Sequence, residues 1–138
     1  MANPIDRNLV NRRPPTVLLV EDDARVRKWI HEELEKLGYN LLEAGDGADA
    51  LVIAELHRGP IDIVVTDVVM PRVDGPELVK ALVALRPDVK VLYISGYPEA
   101  LLRKSTGPST DDNYLQKPFD MNTLIARITE LLDSEDSE

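Results

Sequence analysis

Four places in the chain put a reactive or charged side chain at the end of an aliphatic run. Glu21-Asp22-Asp23 follows "TVLLV", Asp67 follows "IDIVVT", Ser95 closes "VKVLYIS", and Lys117 follows "NYLQ". A charge beside buried aliphatics is costly unless it meets water, a cation or a reaction. If the runs lie side by side, three or four carboxylates, a hydroxyl and an ammonium converge on one mouth. Two carboxylates ~4 Å apart repel by about 4 kcal/mol at an effective dielectric of ~20. A hard divalent cation held by oxygens is the natural offset, and Mg²⁺ takes few carboxylates, keeps waters and engages phosphates. Lysine supplies a point charge suited to a phosphoryl oxygen. Asp67 then reads as an acceptor nucleophile.

Each piece alone has a plainer reading. Asp23 reads as a helix N-cap. Glu21 and Asp22 could form a solvated strand end, Ser95 before Gly96 could be turn chemistry, and Lys117 a surface lysine. Four such residues at successive run ends make coincidence a poor account. His31 and His57 read as ordinary residues of helix surfaces, without a partner pattern, and Trp29 and Phe119 as core or near-core packing.

The elements that would position these residues follow from periodicity. "TVLLVE" (16–21) has the continuous apolar character of a strand covered on both faces. Val26, Ile30, Leu34 and Leu37 recur at helical spacing, with Gly38 as a C′ stop. "YNLLEA" reads as a second strand, and Asp46 caps a helix over roughly 47–57 that ends before Gly59-Pro60. "IDIVVT" is the third strand. Pro76 at N1 opens a helix striped by Leu78, Leu82 and Leu85 and closed by Pro87. "VKVLYIS" (89–95) is the fourth strand, 98–106 a weak helix interrupted by Gly107-Pro108, and "NYLQ" a short fifth strand. Asp120 caps a last helix carrying Leu124, Ile125, Ile128, Leu131 and Leu132 on one face. Strands alternating with helices imply βαβ crossovers, hence one parallel sheet with helices on both sides. Ligands of such sheets bind outside the carboxyl ends of the strands, where the charges fall.

Composition bounds the rest. A chain of 138 residues suits one domain, and a domain of that size buries roughly two-thirds of its unfolded surface. The organisation expected is a flexible leader over 1–15, one domain over 16–132 and an acidic disordered tail over 133–138. There is no cysteine, and the first fifteen residues lack the apolar stretch of a signal peptide. These features fit a cytoplasmic protein without membrane insertion. The net charge of −9, with four acids in the terminal "DSEDSE", argues against a nucleic-acid footprint.

Taken together, "LLVEDD", "DVVMPRVDG", "YISGY" and "YLQKPF" resemble the receiver domain of two-component response regulators, from Thr16 to Leu132. The resemblance implies a flavodoxin-like, doubly wound parallel sheet with strand order 2-1-3-4-5. It makes Asp67 the phosphoacceptor. Glu21 and Asp22 become the acidic pair organising Mg²⁺, Asp22 directly and Glu21 through water, with Val69 lending its backbone carbonyl. Ser95 matches the switch hydroxyl, Tyr114 the aromatic switch position and Lys117 the phosphate-contacting lysine, its bond to Pro118 being cis. The implied partners are a histidine kinase or histidine phosphotransfer protein upstream and a protein downstream. The domain would promote its own phosphorylation and dephosphorylation without acting as an enzyme on external substrates.

The stretch "PEALLRKSTGPSTDDN" departs from the regular fourth helix of the family, and with "VLYISGY" is similar to receivers attached to hybrid sensor histidine kinases. The lack of a following DNA-binding domain leaves a single-domain receiver or a receiver cut from a larger kinase, the starting Met favouring the first. Two other functions compete. A phosphatase with an Asp67 nucleophile would carry a second Asp where Val69 stands, and a phosphorylation-independent interaction module would have no use for the intact acidic cluster.

Overall fold

The computed structural model describes residues 13–96 and 113–133. Most of the expected leader, the weak helix over 98–106 and nearly all of the acidic tail lie outside the described residues. Five strands, β1 (Thr16–Val20), β2 (Asn40–Ala44), β3 (Ile63–Asp67), β4 (Lys90–Ser95) and β5 (Tyr114–Gln116), form one sheet of order β2-β1-β3-β4-β5. All neighbouring pairs are parallel. The described helices are α1 (Ala24–Lys36), α2 (Gly47–Leu56), α3 (Gly75–Leu85) and α4 (Met121–Asp133).

The aliphatic runs are buried on both faces, which is why they show no alternation. Val17 and Leu19 of β1, with Ile63 and Val65 of β3, pack under Ile30 and Leu34 of α1 and Leu124 and Ile128 of α4. The intervening Leu18, Val20 and Val64 point the other way, against Ala50 and Ala54 of α2 and Leu78 and Leu82 of α3. Period-two side-chain alternation thus feeds two cores from one strand. The chain leaves β1 towards β2 on one side and returns to β3 on the other. The carboxyl ends of β1 and β3 therefore flank the topological switch point, where doubly wound sheets open a crevice.

Helix ends follow the sequence closely. Asp23 caps α1 by accepting from Arg25 and Val26 N–H, and Asp46 caps α2 through Asp49 N–H. Asp74 and Glu77 form a reciprocal capping box at α3, which starts at Gly75, one residue before Pro76. Gly38, at φ 90°, ends α1 in the left-handed conformation glycine favours.

Several expected stripes are narrower than periodicity implied. Leu37 and Leu85 are exposed, Leu37 just beyond the last residue of α1 and Leu85 at the last residue of α3. Trp29 is 41% exposed and packs by stacking on Phe119, ring centroids 5.9 Å apart and 8° from parallel. His57 lies at the C-cap of α2 and not inside the helix. His31 does have partners: Nδ1 lies 2.5 Å from Glu43 of β2 and Nε2 3.5 Å from Glu35.

Candidate functional site

Glu21 stands one residue beyond β1, and its N–H still donates to Ala44 O on β2 at 3.1 Å. Its side chain is fully buried. Oε2 accepts from Asp23 N–H at 2.9 Å, and Oε1 lies 2.8 Å from Lys117 Nζ. Asp22 is exposed at the rim. Asp67 ends β3, buried, with Oδ1 3.0 Å from Lys117 Nζ. Oδ2 of Asp67 is buried and accepts no hydrogen bond.

Lys117 reaches both carboxylates from the end of β5, beside β4, where its backbone N–H donates to Ser95 O at 2.6 Å; the Lys117–Pro118 peptide is cis. Ser95 is buried at the end of β4. Tyr114 is buried with Val68 and Tyr93, and its carbonyl accepts from Arg127 at 3.0 Å. Val69, two residues after Asp67, turns its side chain outward. The structure thus brings Glu21, Asp22, Asp67, Ser95 and Lys117 to one end of the sheet, with Tyr114 on the β4–β5 side.

One ammonium serves two buried carboxylates here, with Asp22 exposed beside them. Burial, reinforced by Glu21, pushes the Asp67 carboxyl up to about 8, against the opposing pull of Lys117. Burial alone would depress Lys117, but Glu21 and Asp67 outweigh it and hold its ammonium above the ordinary range. Oxygens of Glu21, Asp22 and Asp67 lie within 4.8 Å of one another. An all-oxygen set with an orphaned buried carboxylate oxygen suits a hard divalent cation such as Mg²⁺. The residues present fit it.

Two contributors escaped the sequence reading. Gly75 N–H donates to Val68 O at 2.7 Å, and a Cβ at Gly75 would lie 2.3 Å from Asp67 O. Only glycine lets the start of α3 lie so close against the reactive strand end. Arg27 Nη1 donates to Glu21 O at 2.7 Å, and its Nε lies 3.6 Å from Glu43. Arg27 is one turn past the cap Asp23, and helical side chains lean towards the N-terminus, so the spacing held this signal.

A family model described as the response regulator receiver domain matches residues 17–129. The chain belongs to that family. This receiver is 40% identical over 121 residues to the sensor kinase CckA of Brucella abortus (strain 2308), across 88% of its own length. It spans only 13% of that kinase. It is also 34% identical over 116 residues to the response regulator receiver protein CpdR of the same strain, covering 84% of this chain and 95% of CpdR. The crystal structure of the receiver domain from the hybrid histidine kinase CckA matches at a TM-score of 0.71 with 38% identity, over 85% of this receiver and 98% of that chain. The family places the protein in two-component signalling as a phosphoacceptor. Among the described residues no helix is long and apolar enough to cross a membrane.

Proposed function

We propose that Asp67 accepts a phosphoryl group from the phosphohistidine of a histidine kinase or a histidine phosphotransfer protein, in the cytoplasm and with Mg²⁺ bound. The observation that carries this is the Asp67 carboxylate itself: one oxygen on Lys117, the other buried and without a donor, beside two further acids. Glu21, Asp22, Asp67 and the Val69 carbonyl would hold the ion, Glu21 through water. When bound, the ion supplies charge neutralisation for a reaction that is mainly positioning and electrostatics.

The Asp67 carboxylate oxygen forms a bond to phosphorus as the phosphorus–nitrogen bond breaks. The electron pair returns to the imidazole nitrogen. Lys117, already at the carboxylate, offers its ammonium to the phosphoryl oxygens. The acyl phosphate ends when water attacks phosphorus, releasing inorganic phosphate and restoring the carboxylate. Ser95 hydrogen-bonds a phosphoryl oxygen and so couples the reaction to the β4 end and to Tyr114. Tyr114 is already buried, so the response starts from an inward ring and acts on how that ring is held. The altered face beside β4 and β5 is what a downstream protein would read.

Incubation with acetyl phosphate and Mg²⁺, followed by intact mass and peptide mapping, tests this. The wild type should gain one phosphoryl group on Asp67, and Asp67→Asn or omission of Mg²⁺ should give none. Label on His31 or His57, or turnover of an external phosphoester, would replace the assignment.

A further inference from the structure

Asp22 is the exposed member of the acidic cluster, and what holds it is unusual. Both peptide planes flanking it are pinned from outside. The Glu21–Asp22 plane is held at its carbonyl, which accepts from Arg27 Nη1 at 2.7 Å. The Asp22–Asp23 plane is held at its N–H, which donates to Glu21 Oε2 at 2.9 Å. Beyond it, Asp23 is fixed by the cap of α1, accepting from Arg25 N–H at 2.9 Å. The Glu21 carbonyl lies past the last residue of β1, where the ladder ends. The guanidinium takes the place of a missing strand partner.

Arg27 is itself braced. Its Nε lies 3.6 Å from Glu43 Oε1, and Glu43 Oε2 lies 2.5 Å from His31 Nδ1. The side chain is three-quarters buried, at 25% exposure. A planar guanidinium can span a carbonyl on one strand end and a carboxylate on the next strand, which a lysine cannot do with equal geometry.

We propose that Arg27 is a positioning residue for the metal site: by fixing the Glu21–Asp22 peptide it aims the Asp22 carboxylate at the ion. This rests on the proposed Mg²⁺ site. Arg27 touches no metal and takes no part in phosphoryl transfer. Its charge also makes the proposal separable from simple electrostatics. Deleting a cation near a cation site relieves repulsion, and on that ground alone should tighten Mg²⁺. Loss of positioning weakens it.

The test is Mg²⁺ titration of the whole protein followed by backbone amide shifts, with folding checked by circular dichroism. Removing a group that orients a ligand costs about tenfold in metal affinity, and that loss is expected for Arg27→Met. In the metal-free protein the Asp22 amide should exchange faster in the variant, because the Glu21–Asp22 plane it belongs to is less restrained. Glu43→Gln, which leaves the Arg27–Glu21 bond intact, should stay within about twofold of wild type. Unchanged or tighter Mg²⁺ binding in folded Arg27→Met overturns the proposal. Should Arg27→Met not fold, Arg27→Lys carries the test, with a loss of about threefold expected and no loss overturning it. If Asp22→Asn binds Mg²⁺ as tightly as wild type, the metal-site reading fails and the positioning role with it. If only Arg27→Met binds normally, positioning alone fails.

Discussion

At the seam between α2 and α3, the charge of Arg86 meets partners that complete it. Helix α2 ends without a basic residue in its last turn, and Arg86, from the end of α3, supplies one. Its guanidinium donates to Ala54 O at 3.0 Å, His57 O at 2.7 Å and Gly59 O at 2.7 Å. A cation thus meets the negative end of a helix dipole and three carbonyls at once. At the carboxyl mouth of the same sheet the opposite holds. Three carboxylates gather there, one lysine pairs with only two of them, and a buried oxygen of Asp67 accepts no hydrogen bond. Both regions use charged residues at element ends, and both are well packed. They differ in whether the protein alone completes the electrostatics. The seam is finished as folded, whereas the mouth is left for a cation and a phosphoryl group to finish.

The sharpest way to break the comparison is to crowd the mouth from its packed side. A methyl group at Gly75 would collide with Asp67 O at 2.3 Å and approach Val68 Cα at 3.0 Å, both backbone contacts that cannot swing away. Gly75→Ala should destabilise by about 3 kcal/mol, near the upper end for overpacking, as measured by urea denaturation. A cost below about 1 kcal/mol would mean that α3 can shift, and that the mouth is looser than its geometry implies. At the seam, Arg86→Met should cost about 1–2 kcal/mol, since it strands three carbonyls that water reaches in part. The Mg²⁺ affinity should not move. A change there would tie the two regions together and erase the distinction.

How much of this was legible in the sequence depends on the range of the contact. The sheet, its order and the caps at Asp23 and Asp46 rest on local patterns or on motifs at strand ends, and the structure has them. The burial of Glu21 and Asp67 follows from where their strands stop. What sequence could not place are contacts between elements of distant register: Arg86 on the α2 carbonyls, Glu43 on His31, Gly75 against Asp67. The His31–Glu35 pair, by contrast, has i,i+4 spacing that the sequence alone displays. The stripes stop short of Leu37 and Leu85, which periodicity includes but burial does not.

The smallest expected effect has the opposite sign and isolates the unfinished mouth. Burial and Glu21 hold the folded Asp67 carboxyl near 8, well above its ordinary value of 3.8. Between those values the folded state binds a proton that the unfolded chain has released. Stability therefore falls as pH rises through that window, is unaffected by this group below it, and carries the full penalty above it. Asp67→Asn keeps the shape and removes the titration. In metal-free buffer the variant should match wild type near pH 4 and exceed it by about 1 kcal/mol at pH 8, where solvent at the rim moderates the cost of the buried charge. The same linkage governs the ion. A cation that needs the ionised carboxylate displaces its proton, so wild-type Mg²⁺ affinity should rise with pH up to about 8 and then level off. Thermal melts of both proteins across this range, with and without Mg²⁺, read the two effects together. A stability advantage for Asp67→Asn that shrinks as pH rises would mean that Lys117 already neutralises the mouth, and the contrast with the α2–α3 seam would disappear.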